Sequence, residues 1–306
     1  MAVQSGDLSR AGAPQALMAA NIGTPVETPL VRTWRRFRRH RLAMAGLVFI
    51  LLIAVMGIAA PLVAPQDPIK TNLSKALEPP SATNWLGTDP VGRDIWSRTV
   101  YAIRISLSVG IVAVGISVVI AIVLGALAGY YGGAVDMLIM RLTDIIMTIP
   151  SLVIIMAVVS VIGPSIYNVM VVIGILGWTG MARLLRGQIL SVRERDFIAA
   201  AQSIGVSDAR IMALHLLPNA VAPLLVAATF SVAGAILTEA ALSFLGFGVL
   251  PPTPSWGNML NAARSLSRLQ ENPWFWVPPG VMILLTVLAI NFIGDGLRDA
   301  LDPRTK

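Results

Sequence analysis

Few side chains in this 306-residue sequence could do chemistry. There is no cysteine, which removes thiolate nucleophiles, thiolate metal sites and disulfides together. Two histidines, His40 and His215, are too few for a histidine metal cage. A loop that cradles phosphate needs Gly-Lys followed by Ser or Thr. None of Lys70, Lys75 and Lys306 follows a glycine, so ATP cannot bind by that route. The acidic residues in or beside long apolar stretches come down to Asp144, Glu239 and Asp295, too few for a proton relay. No nucleophile–base pair stands out. The chain reads as a non-catalytic protein with no metal or cofactor site of its own, driven by energy from a partner.

The polar residues that remain have two kinds of work open to them. Glu239 is a pathway candidate, because an ionisable group in lipid is expensive and faces protein or water; structural pairing is the competing role. Asn291 is a second pathway candidate. It shares a helix face with Asp295, and both are placed to satisfy backbone groups freed near Gly294 and Gly296. Arg141 and Asp144, three residues apart, fall on one helix face and are read as a structural ion pair. His215 precedes Pro218 and is read as capping or bracing the following span.

The elements that must position these residues follow from composition. Hydrophobic residues make up 56% and charged residues 13%, against about 25% charged in soluble proteins. That balance excludes a disulfide scaffold, a disordered protein and a soluble enzyme. Long charge-free stretches also argue against a nucleic-acid surface, despite the net charge of +7. The fold class is an all-α integral membrane protein. Each crossing needs about 20 apolar residues. The sequence offers residues 42–63 as the first and 105–128 as the second, with a fifth within 216–244 and a sixth within 278–294. The charge-free run 145–182 would be roughly 57 Å long as one helix. It is therefore split into a third and fourth span by a hairpin at Gly163-Pro164. Six transmembrane helices result, with Trp256, Trp274 and Trp276 flanking the sixth as an interfacial belt.

Lys and Arg collect on the cytoplasmic side of membranes. With residue 1 inside, 16 of the 23 basic residues fall in cytoplasmic segments, so both termini are placed there. Arg93, Arg98 and Arg104 go against this, since all three precede the second span on the outside. Residues 1–31 read as a disordered cytoplasmic leader and 32–41 as a basic cytoplasmic segment. Residues 42–63 exceed the apolar core of a cleaved signal peptide and read as a retained anchor. An external segment, 64–104, carries a short amphipathic helix near residues 95–100. The permease-like core, 105–306, contains Gly125 and Gly129, a small-residue spacing that lets helices pack closely. Its cytoplasmic loop, 183–215, reads as two short helices: residues 194–204 stopped at Gly205, then a second capped by Ser207 with Asp208 in its first turn. Ala199, Ala200 and Ala201, flanked by Phe197, Ile198 and Ile204, suit a helix laid into a groove of another protein. The alternative is a helix resting on lipid headgroups.

At this point the sequence resembles a known family. Phe197-Ile198-Ala199-Ala200-Ala201-Gln202-Ser203-Ile204-Gly205, ending in His215-Leu216-Leu217-Pro218-Asn219, is similar to the coupling loop of ATP-binding-cassette importer permeases. The family's Glu falls on Ala199. Leu86-Gly87-Thr88-Asp89-Pro90-Val91-Gly92-Arg93-Asp94, Arg141-Leu142-Thr143-Asp144, Glu239-Ala240-Ala241-Leu242-Ser243-Phe244-Leu245-Gly246, Trp256-Gly257-Asn258 and Asn291-Phe292-Ile293-Gly294-Asp295-Gly296 also fit. Together they resemble the C-type permease of dipeptide and oligopeptide importers, from about residue 33 to the end.

The resemblance implies a type I importer permease fold in a prokaryotic plasma (inner) membrane. It further implies a homologous second permease, two P-loop ATPase subunits that carry ATP and Mg, and an external solute-binding protein. Phe197, Ile198, Ala199, Ala200, Ala201, Ile204, Gly205 and Asp208 would couple to the ATPases. Residues 64–104 and 248–277 would receive the binding protein. A nickel or metal-chelate permease shares these motifs. An ion-coupled secondary transporter is the rival from another class, but it needs coupling carboxylates and an inverted repeat.

Overall fold

The computed structural model describes residues 28–302, and among them every regular element is a helix. In chain order these are α1 (Pro29–Arg39), α2 (Arg41–Ile58), α3 (Ala60–Val63), α4 (Ile95–Tyr131), α5 (Gly133–Thr148), α6 (Ser151–Ile162), α7 (Ile166–Leu176) and α8 (Trp178–Arg193). Then come α9 (Asp196–Ser203), α10 (Asp208–Ile211), a π-helical turn (Met212–Leu216), α11 (Leu217–Leu245), α12 (Trp256–Asn261), α13 (Leu266–Glu271) and α14 (Pro273–Leu301). Residues 1–27 of the expected leader lie outside the described residues; its last residues already belong to α1.

Among the described residues, five helical stretches are long and apolar enough to cross a bilayer, and a bent pair makes six where it counts as one span. The hairpin at Gly163-Pro164 forms as expected: α6 stops at Ile162, and Gly163 takes φ +93. The third crossing departs from a straight span at 145–162. It is the pair α5 and α6, bent by 85° at Ile149-Pro150. Proline cannot donate to the helix ladder and disfavours helical geometry in the residue before it; Ile149 is extended, at φ -101 and ψ 131.

The central pillar is α4, with α8, α7 and α11 packed around it and α2 and α14 paired alongside. Its 37 residues reach about 55 Å, more than the hydrocarbon layer requires. Residues 95–100 are therefore its first turns and not a separate amphipathic helix; Ile95 and Val100 are fully buried. Gly125 and Gly129 pack within the chain against α8. A methyl group on Gly125 would lie 2.8 Å from the Ala182 carbonyl oxygen, and one on Gly129 would lie 2.9 Å from Ile189. Gly294 and Gly296 free no backbone groups, since α14 runs unbroken to Leu301. They let Phe230 and Ala43 approach instead.

At one end of the bundle, residues 64–94 and 246–272 fold into a polar plate. Asp94 starts α4 by accepting from the Ser97 N–H (2.8 Å) and also accepts from Asn84 Nδ2 (2.9 Å). Arg98, 2% exposed, donates to the Pro68 carbonyl (2.8 Å) and the Pro252 carbonyl (3.3 Å), joining the two segments. Arg93 pairs with Asp89 (2.6 Å), and Arg104 donates to the Ile58 carbonyl (2.7 Å) at the end of α2. The three arginines that weaken the charge count before the second span are thus all consumed in structure. Trp256 is no belt residue: it is fully buried, and its Nε1 donates to the Thr99 carbonyl (3.2 Å). A capping box between Ser255 and Asn258 fixes the start of its helix.

Candidate functional site

The opposite end of the bundle carries an elbow made of α9, α10 and the π-turn. Asp196 begins α9, a favourable place for an acid at a helix N-terminus. The helix ends in a Schellman motif, in which the Gly205 N–H donates to Gln202 (3.0 Å) and the Val206 N–H donates to Ala201 (3.1 Å). Gly205 takes φ +77, a conformation that side-chain-bearing residues resist. Ser207 occupies the cap position of α10, but its side chain makes no capping hydrogen bond. The chain then passes through Met212–Leu216 straight into α11, where Asn219 Nδ2 donates to the His215 carbonyl (2.7 Å). His215 therefore braces the turn through its backbone.

The helical periodicity of α9 divides the expected coupling residues into two groups. Phe197 (42% exposed) and Ile204 (81% exposed) face outward, as do Ala199, Ala200 and Gly205. Ile198 is fully buried and Ala201 nearly so. Both join a core cluster with Tyr130, Ile189, Ile211 and Leu216, so they hold the elbow to its own bundle and offer nothing to a neighbour. Asp208 is likewise engaged inward, accepting from Tyr130 Oη (2.6 Å). Arg193 Nη1 donates to the Tyr130 carbonyl (2.6 Å), and Arg186 pairs with Asp136 of α5. The elbow is therefore an apolar, small-residue face on a base hooked to α4, α8 and α11.

The ion pair expected between Arg141 and Asp144 does not form. Asp144 binds Arg183 of α8 at 2.7 Å, with both side chains about half exposed (46% and 52%). An intrahelical spacing permits a pair, but here a longer-range arginine reaches the carboxylate first. Glu239 is fully buried; its Oε1 accepts from Ser243 Oγ (2.7 Å), which in turn accepts from the Val249 N–H (2.9 Å). Ser243, held by Glu239, ties the plate to α11. Asn291 is half-buried on α14. Neither residue lines the cavity of about 450 Å³ that opens at mid-height among α4, α5, α6, α7, α8 and α11. Its walls carry Ser117, Ser151, Thr179, Ser231, Gly234 and Thr238, which inspection of the ionisable groups passed over. The available signal was helical spacing of small and hydroxylated residues along α11.

The described residues form a bundle of membrane-spanning helices that ends in an elbow with an exposed apolar face. Residues 121–306 match the family described as binding-protein-dependent transport system inner membrane component, and residues 28–80 match the N-terminal transmembrane domain of oligopeptide transport permease C. The chain belongs to this permease family. It is 43% identical to the dipeptide transport system permease protein DppC of Alkalihalophilus pseudofirmus, with 91% of each chain covered. It is also 44% identical to the di/tripeptide transport system permease protein DppC of Pseudomonas aeruginosa, covering 91% of this chain and 93% of the relative. The oligopeptide transport system permease protein OppC of Bacillus subtilis is 40% identical, with 89% and 88% covered.

Proposed function

We propose that this chain is one of two permease subunits of an importer for dipeptides or oligopeptides, embedded in a prokaryotic inner membrane. The elbow faces the cytoplasm with both termini, and the plate faces outward toward a solute-binding protein. Two P-loop ATPase subunits supply ATP and Mg chemistry, and each permease docks one of them. In this arrangement the chain converts closure of the ATPases into movement of α11. Nucleotide must then favour one conformational state over another, or nothing shifts. The observation that carries the coupling role is the outward face of α9, where Phe197, Ala199, Ala200 and Ile204 stay exposed while Ile198 and Ala201 are sealed. Peptide cargo is supported by relatives of similar length that are dipeptide, di/tripeptide and oligopeptide transport permeases.

The test is transport by the complex reconstituted with its second permease, ATPases and binding protein. Uptake of di- and oligopeptides, with no uptake of nickel chelates or heme, is expected. Uptake of a metal chelate in preference to peptides would overturn the cargo assignment. The purified chain by itself should bind no nucleotide in an equilibrium dialysis experiment.

A further inference from the structure

We propose that the mid-height cavity is this subunit's share of the passage. We propose also that its wall receives peptides through neutral hydrogen bonding, without selecting the charge of their side chains. This rests on the peptide-importer reading and adds where the cargo runs and how it is held.

Three features of the cavity point the same way. Its volume, about 450 Å³, lies in the range of small-ligand sites. It sits at the sharp bend between α5 and α6, where Ile149 is extended ahead of Pro150. Irregular backbone at membrane depth is tolerated only where it is buried in protein or lines a water-filled cavity. And the walls contain no charged side chain, although Asp144 and Glu239 lie on the helices that form them. Asp144 is paired away with Arg183, and Glu239 is sealed beneath the plate.

The polar side chains that remain are hydroxyls, and three of them have their hydrogens committed. Ser117 donates to the Gly174 carbonyl (2.8 Å), Ser231 to Ala227 (2.9 Å) and Thr238 to Gly234 (2.8 Å). Their oxygens keep acceptor capacity, suited to the N–H groups of a peptide main chain. Such contacts are modest individually. A passage needs contacts weak enough to release what enters, and ionic partners would hold some peptides and repel others.

The experiment uses the full reconstituted importer and three dipeptides, Ala-Ala, Glu-Ala and Lys-Ala, each supplied at saturating binding protein. The unmodified complex should move all three within about threefold of one another per ATP hydrolysed. Thr238→Asp should slow Glu-Ala relative to Lys-Ala by about tenfold, and Thr238→Lys should reverse the order. Binding-protein-stimulated ATP hydrolysis, retained in both variants, establishes that they are assembled. Unchanged cargo ratios in assembled charge variants overturn the passage assignment while leaving the importer intact. Failure of the unmodified complex to move any peptide overturns the cargo reading and this proposal with it. The absence of native cysteine gives a second measurement that does not depend on charge variants folding. Ser231→Cys and Thr238→Cys should react with both cationic and anionic thiol reagents, more slowly when peptide is being transported. Labelling that is absent, or indifferent to peptide, counts against the cavity.

Discussion

At the plate, Asp89, Asp94, Asn84 and Arg98 are all at most 2% exposed, and their hydrogen bonds go to one another, to Arg93 and Ser97 or to nearby carbonyls. At the elbow, by contrast, Phe197 and Ile204 stand open, and polar hooks such as Tyr130 to Asp208 secure only the base. Satisfied buried polar networks rigidify and specify one arrangement. An exposed apolar face on a rigid base leaves its energy unspent until a partner covers it. The difference teaches that the two ends are built differently: one satisfies its polar groups within the chain, the other leaves an apolar face uncovered.

The comparison can be broken most forcefully at the plate. Gly92 has φ +76, and a side chain there would collide with the Asn72 carbonyl. Gly92→Val should destabilise the chain by more than about 3 kcal/mol, read as loss of folded complex and a fall in its melting temperature. Phe197→Ala at the elbow should leave that melting temperature unchanged. It should weaken ATPase association by about tenfold, as loss of a central aromatic anchor does, measured by co-purification. Equal losses of stability at both ends would erase the distinction. Gly205→Val should cost about 1–3 kcal/mol of local strain and misdirect the end of α9, so that ATP hydrolysis continues while uptake falls. Wild-type uptake in that variant would remove the elbow's coupling role. The smallest effect belongs to Asp144→Ala, which breaks an ion pair that is about half exposed. A change of about 0–1 kcal/mol is expected, checked by thermal unfolding in detergent.

Much of the elbow was legible from local chemistry. A glycine following a run of helix formers marks a left-handed stop, and Gly205 adopts it. The Gly163-Pro164 hairpin is equally local, because both residues limit backbone geometry whatever surrounds them. Pro150 carried the same kind of signal. It was masked by the charge-free run around it, which hydropathy reads as one continuous span. Partner choice was less accessible. Asp144 sees Arg141 in sequence but Arg183 in space, because α8 packs alongside α5.

Composition and spacing by themselves determined that this chain crosses a membrane about six times, holds no nucleotide loop of its own and presents a two-helix elbow. These follow from solvation of long apolar segments and from the backbone limits of glycine and proline, which act residue by residue. Only the tertiary structure decided that Glu239 is buried against Ser243, that Trp256 is core, that Ile198 and Ala201 point inward while Phe197, Ala199, Ala200 and Ile204 do not, and that the cavity wall is hydroxylated and neutral. Each of those depends on which surfaces meet when distant helices pack, and helix periodicity leaves the direction of a face open until a neighbour occupies it.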